Sequence, residues 1–144
     1  MSGKAKSSAK NIMVGIVVSD TRKHITQKML DLAEKTANTN NCKTNIIHVP
    51  GTFDIPLAVK ILLEKKEIAG VITIGVVIKG ETSHDKVIAY TVAKTLQELS
   101  LQYRKPVTLG INGPDMNEAQ AIARIHRAKE ATEACIAMIQ ILEK

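Results

Sequence analysis

The spacing of apolar and polar positions changes several times along the chain, and each change marks an element. Ile12 to Val18 (IMVGIVV) is an unbroken apolar run rich in β-branched side chains, the pattern of a strand covered on both faces, as in a parallel sheet. Ile25, Met29, Leu32, Ala33 and Thr36 then recur at helical spacing, and the helix dissolves among Asn38, Asn40 and Asn41. Lys43 to Val49 predicts a second strand, followed by a turn at Val49-Pro50-Gly51. The next helix is expected to start near Asp54, with that carboxylate as its cap, Pro56 tolerated in its first turn, and Ile55, Ala58, Ile61 and Leu62 as its inner stripe.

Gly70 opens a third strand, Val71 to Val77, and Gly80 breaks the chain before a long helix with Ile88, Val92, Thr95, Leu96 and Leu99 on one face. Pro106 to Ile111 predicts a fourth strand and Asn112-Gly113-Pro114 a turn. The remainder is helical, with a stripe of Ile122, Ile125, Cys135, Met138, Ile139 and Leu142 and a break near His126. Strand and helix patterns thus alternate four times. Parallel strands need crossovers, and helical crossovers cover both sides of a sheet, so the expected class is α/β: a three-layer α/β/α sandwich around a central four-stranded parallel sheet. In such sheets ligands gather beyond the carboxyl ends of the strands, here Ser19 to Arg22, Pro50 to Asp54, Ile78 to His84 and Asn112 to Asp115.

Composition narrows this picture. At 144 residues the chain suits one domain, and 44% hydrophobic with 24% charged residues is the balance of a globular protein. Residues 1–10 (MSGKAKSSAK) hold three lysines, no acid and no apolar core, which predicts a disordered basic tail ahead of a domain spanning 11–144, in a cytoplasmic protein. That tail supplies half of the formal net charge of +6. Elsewhere basic and acidic residues are interleaved, and the aromatics are limited to Phe53, Tyr90 and Tyr103, which argues against a nucleic-acid surface. No apolar run approaches the roughly 18 residues of a membrane span. Cys42 and Cys135 form no C-x-x-C pair and read as reduced thiols.

Three segments offer chemistry, two of them strand ends. In GVVIKGETSHD, Gly75 to Asp85, Gly80 lets the backbone approach a ligand. Gly80, Glu81 and Thr82 then present N–H groups at a helix start, where an anion is favoured. His84, one turn on, titrates near neutral pH and can pass protons. The same residues also suit a plain helix cap at Thr82 and a solvent-facing His84. In VPGTFDIP, Val49 to Pro56, an acid beside exposed backbone groups suits a polyol, while a cap at Asp54 with a buried Phe53 suits the spacing equally. Arg124 and Lys129 lie on helical sequence beside His126 and Arg127, as phosphate partners or as a solvated face. A receiver-type phosphoacceptor domain fails, because Asp20 has no acidic companion, no Asp follows the third strand, and Lys105 precedes the fourth. Neither G-x-G-x-x-G nor a P-loop is present.

Taken together, PGTFDIP, GVVIKGETSHD and KPVTLGINGP, followed by an arginine in the last helical region, resemble the lumazine synthase family from about Val14 to Leu142, and look most like its archaeal branch. The resemblance implies a flavodoxin-like fold, assembly as a pentamer or a multiple of pentamers, and sites between adjacent subunits. It implies condensation of 5-amino-6-(D-ribitylamino)uracil with 3,4-dihydroxy-2-butanone 4-phosphate, without metal or organic cofactor. By position, His84 matches the proton-shuttling histidine, and Gly80, Glu81 and Thr82 match the phosphate-binding turn, completed by Arg124 of a neighbour. Thr52, Phe53 and Asp54 match the ribityl contacts, Val77 and Ile78 the pyrimidine wall, and Leu109 and Lys129 the neighbour's side of that pocket.

One departure stands out. The family usually places an aromatic residue just after the first strand, stacked on the pyrimidine, whereas this chain has Ser19-Asp20-Thr21-Arg22-Lys23-His24. Lost stacking would cost on the order of 1 kcal/mol. Thr21 occupies the aromatic's place, and Arg22 or His24 could stack instead, since a guanidinium plane lies flat on a ring. Two further readings share most of these features: an archaeal-type riboflavin synthase, against which the intact GETSH and TLGINGP segments argue, and a non-catalytic oligomer that binds lumazine or flavin.

Overall fold

A computed structural model describes residues 12–144, so the expected basic tail at 1–10 lies outside the described residues. Its elements are β1 (Ile12–Ser19), α1 (Lys23–Thr39), β2 (Cys42–Val49), a 3-10 turn (Thr52–Asp54), α2 (Ile55–Leu63), β3 (Ile68–Ile78), α3 (His84–Tyr103), β4 (Val107–Met116), α4 (Glu118–Ala123) and α5 (Arg127–Leu142). All strand pairings are parallel, in the order β2-β1-β3-β4. This is the three-layer flavodoxin-like α/β sandwich that the alternation predicts. Among the described residues no helix is long and apolar enough to cross a membrane.

The pleat of β1 divides the core. Val14, Ile16 and Val18 point to one side, where α1 and α5 bring Ile25, Met29, Ala33, Ala128, Cys135 and Ile139. Val17 points to the other, against Ile55, Val59, Leu62, Val92, Leu96 and Leu99 of α2 and α3. Each buried Val, Ile or Leu contributes about 1.5–3 kcal/mol, so two such layers hold the central strands firmly. From β1 the chain runs outward to β2 and then returns past β1 to β3. That reversal makes the carboxyl ends of β1 and β3 the switch point where a ligand crevice opens.

Several local expectations need correction. β3 starts at Ile68, two residues before Gly70. In α2 (IPLAVKILL) apolar residues occupy nearly every position, and the buried set is Ile55, Ala58, Val59, Leu62 and Leu63, while Ile61 faces outward. In the last helical region Ile122, Met138 and Leu142 are exposed, and Ala121, Ala128, Ala131 and Ile136 take the inner places beside Cys135 and Ile139. The break near His126 is real, between α4 and α5. Asn112-Gly113-Pro114 is not a turn: β4 continues through it to Met116, whose carbonyl accepts from the Lys79 N–H at 2.8 Å.

Candidate active site

Three strand ends converge on a cavity of about 420 Å³, lined by Thr21 and Arg22 after β1, Gly51 to Phe53 after β2, and Val76 to Ile78, Gly80, Thr82, His84, Asp85 and Ile88 around the end of β3. Its volume falls in the range of small-molecule sites, roughly 300–1,000 Å³. The first two ends are stapled together. The Asp20 N–H donates to the Val49 carbonyl at 2.8 Å, and the Thr21 hydroxyl donates to that of Pro50 at 2.9 Å. Arg22 sits in the left-handed region, φ 60° and ψ 47°, at the start of α1. Its guanidinium meets Glu118 of α4 at 3.1 Å, and the other oxygen of that carboxylate meets His24 Nε2 at 3.1 Å.

The second end presents two side chains that the bland sequence reading would have hidden or satisfied. Phe53 is 61% exposed at the rim. Thr52 is buried with its Oγ1 facing no hydrogen-bond partner, in room left by Gly75, where an added Cβ would stand 3.0 Å from that oxygen. A buried hydroxyl without a partner is unfavourable by about 1–3 kcal/mol, a cost that Thr52 carries at the edge of the cavity that it helps to line. Asp54 does not cap α2 forward. Its carboxylate reaches back and accepts from the Gly51 N–H at 3.0 Å, fixing the turn that carries Thr52 and Phe53.

At the third end Gly80 faces open space, with nothing within 4 Å of an added Cβ. The Thr82 hydroxyl accepts from the His84 N–H at 3.2 Å, a local turn contact, while Thr82 also lines the cavity. The N-cap of α3 is Ser83, without a side-chain cap bond. His84 is exposed on the first helical residue. Beside it Asp85 is only 4% exposed and accepts from the Asp115 N–H of β4 at 3.0 Å. That backbone donor, more than any other neighbour, holds the Asp85 carboxyl below its ordinary range and keeps it ionised.

The chain therefore brings Thr21, Arg22, Thr52, Phe53, Val77, Ile78, Gly80, Thr82 and His84 around one space. Glu81 and Asp54 are exposed nearby without lining it, and the Asn112 to Asp115 end stands apart. Leu109, Arg124 and Lys129 also lie elsewhere. Leu109 borders a second hollow of about 230 Å³ with Tyr90, Ala93 and Gly113, and Lys129 a third with Lys35 and Glu133. The Arg124 guanidinium donates to the Gln120 carbonyl at 3.0 Å. Sequence reasoning missed Asp85 as a cavity residue. An acid in the first turn of a helix, next to the candidate histidine, was the available signal.

A crevice at the switch point of a parallel α/β sheet, with a glycine-opened turn, a helix start and an imidazole on its rim, gives this flavodoxin-like protein room for a small molecule. Similarity to known proteins makes the class specific. The profile of the 6,7-dimethyl-8-ribityllumazine synthase family matches residues 11–143. A protein of that name from Picrophilus torridus is 48% identical over 133 residues, covering 92% of this chain and 98% of its own. Its counterpart in Methanobrevibacter smithii is 46% identical, covering 91% and 96%, and that of Saccharolobus islandicus 47%, covering 94% and 89%. The chain belongs to the 6,7-dimethyl-8-ribityllumazine synthase family, with relatives that are mostly archaeal.

Proposed function

We propose that the chain is a transferase of riboflavin biosynthesis that joins 5-amino-6-(D-ribitylamino)uracil to 3,4-dihydroxy-2-butanone 4-phosphate, giving 6,7-dimethyl-8-ribityllumazine, phosphate and water. The observation that carries the reading is the single cavity that unites Thr52, Phe53, Gly80, Thr82 and His84 within a chain of this family. The riboflavin synthase and non-catalytic alternatives are not favoured by its relatives.

On this reading the ribityl chain runs along the second strand end, past Thr52 and the exposed ring of Phe53. Asp54 acts through the turn that it fixes. Val77 and Ile78 wall the pyrimidine, Thr21 holds the place of the family's aromatic residue, and Arg22 beside it on the cavity lining is the group offered to stack on the pyrimidine. The phosphate sits at the Gly80-Glu81-Thr82 turn, where the α3 dipole favours negative charge. The pyrimidine amine adds to the ketone, the nitrogen's proton is lost as the carbonyl oxygen gains one, and water leaves as the imine forms. A carbon-bound proton and the phosphate then depart to leave an enol, which takes a proton on its terminal carbon and becomes a ketone. The second amine closes the ring on that new carbonyl with loss of water. His84 is the group at the rim that takes and returns these protons. Holding both substrates in register supplies much of the acceleration, and acid–base help the rest.

The reading includes a homo-oligomer, a pentamer or a multiple of it, in which Leu109, Arg124 and Lys129 serve the cavity of an adjoining copy. Two observations support it: those three residues lie off their own chain's cavity, and Phe53, Leu57 and Ile61 form an exposed apolar stripe from its rim along α2. A cytoplasmic location is supported by two free, buried thiols.

The test mixes the purified chain with both substrates and follows lumazine absorbance for wild type and His84→Ala, beside the size of the native particle. Product from the wild type, a slower variant and a pentameric particle or multiple are expected. No product, or a stable monomer, would overturn the corresponding part of the reading.

A further inference from the structure

Asn112 lies on β4 opposite Val76 of β3, 0% exposed, among the apolar side chains between the sheet and α1. A buried amide is costly unless it is bonded, and this one is bonded on one side only. Its Nδ2 donates to the carbonyls of Ala121 and Arg124, both at 3.1 Å, with Met29 Sδ at 3.8 Å, while Oδ1 has no partner. Turning the amide over would set its oxygen against both carbonyls, so the orientation is determined. An apolar residue of similar size would avoid the orphaned oxygen. What asparagine adds at this position is the pair of N–H groups.

Those two carbonyls belong to the last turn of α4 and to its C-cap, where the break before α5 begins. A helix of six residues, Glu118–Ala123, is too short to hold its own end. The Ala121 carbonyl also accepts from the Arg124 N–H at 3.1 Å, and the Arg124 carbonyl from the Arg127 N–H at 3.0 Å. Asn112 therefore ties both ends of the segment 121–124 to the sheet. We propose that Asn112 is a positioning residue for Arg124, setting the backbone from which that guanidinium reaches the substrate phosphate in an adjoining copy's cavity. The proposal rests on the reading of Arg124 as a phosphate partner.

A double-mutant cycle on the full chain tests it, with Asn112→Leu, Asn112→Ser, Arg124→Ala and Asn112→Leu/Arg124→Ala assayed against both substrates. Asn112→Leu should raise KM for the sugar phosphate about fivefold and leave kcat and the pyrimidine KM within about twofold. Asn112→Ser, which keeps one donor, should fall between it and wild type, and it carries the test if the leucine variant does not fold. On the Arg124→Ala background the leucine change should add nothing. A sugar-phosphate KM moved by Arg124→Ala but not by the Asn112 variants overturns the asparagine proposal alone, as does equal loss for both substrates or a fully multiplicative double variant. A KM that Arg124→Ala leaves unmoved overturns the arginine reading and the asparagine proposal with it.

Discussion

The ends of β3 and β4 lie side by side in the sheet and are built in opposite ways. After Ile78 the backbone leaves the sheet, passes Gly80 with open space beside it, and delivers Thr82 and His84 to a cavity. After Ile111 the backbone stays in the sheet as far as Met116. There an added Cβ on Gly113 would stand 2.4 Å from the Val77 carbonyl, Asn112 is sealed in the core, and the Asp115 N–H is taken by Asp85. The open end can meet a ligand because its neighbour is closed: β4 is the rigid wall against which the first turn of α3 is held.

Substitutions at the two ends should therefore separate rate from stability. His84→Ala is expected to lower the rate of lumazine formation roughly a hundredfold while leaving the melting temperature in place, since one acid–base group is removed from an exposed position. A melting shift of many degrees would mean that the open end is structural as well. Gly113→Ala should do the reverse. With φ 129° and the carbonyl contact, it should lose about 2–3 kcal/mol, a melting decrease on the order of 10 °C, with the activity of the remaining folded protein largely kept.

Smaller effects sharpen the contrast within the cavity. Arg22→Ala should raise the pyrimidine KM about fivefold if its guanidinium substitutes for the missing ring, and an unchanged KM removes it from that role. Thr52→Val should raise the same KM by a few-fold, about 1 kcal/mol, without loss of thermal stability, because the deleted hydroxyl has no protein partner to abandon. A fall in melting temperature would show that the hydroxyl is satisfied within the protein.

The smallest change is expected from Asp85→Asn, which keeps an oxygen for the Asp115 N–H while removing the charge and turning the other oxygen into an NH2 group. The folded carboxyl lies below its ordinary pKa, so its contribution is present at neutral pH and is lost as pH falls through the folded value. Unfolding midpoints of the two proteins should differ most near neutrality and converge in acid. A constant difference at every pH would trace the effect to geometry instead of charge.

Much of this was legible in the chain itself, and the parts that were not have identifiable causes. Ile12 to Val18 and Val71 to Val77 declare buried parallel strands because both faces must be apolar, and two motifs, PGTFDIP and GVVIKGETSHD, mark strand ends that meet at the cavity. The Asn112-Gly113-Pro114 stretch misleads because local turn chemistry is outweighed by pairing along β3 and by the carboxylate of Asp85, a partner 30 residues away. The inner face of α2 is ambiguous because IPLAVKILL is apolar around most of its circumference, so periodicity alone cannot choose Val59 and Leu63 over Ile61. Nor does the sequence reveal that Asp54 turns back to Gly51, since a carboxylate before a helix serves either direction.

The strand order carries one last consequence, for how the domain comes into being. Every residue that lines the cavity precedes Ala89, yet β3 needs β4 beside it, and one face of the sheet is covered by α1 alone until α5 arrives. During synthesis the residues that line the chain's own cavity thus emerge first and their frame last. Shortening the chain from its carboxyl terminus would unravel the scaffold even where every residue of that lining is still present.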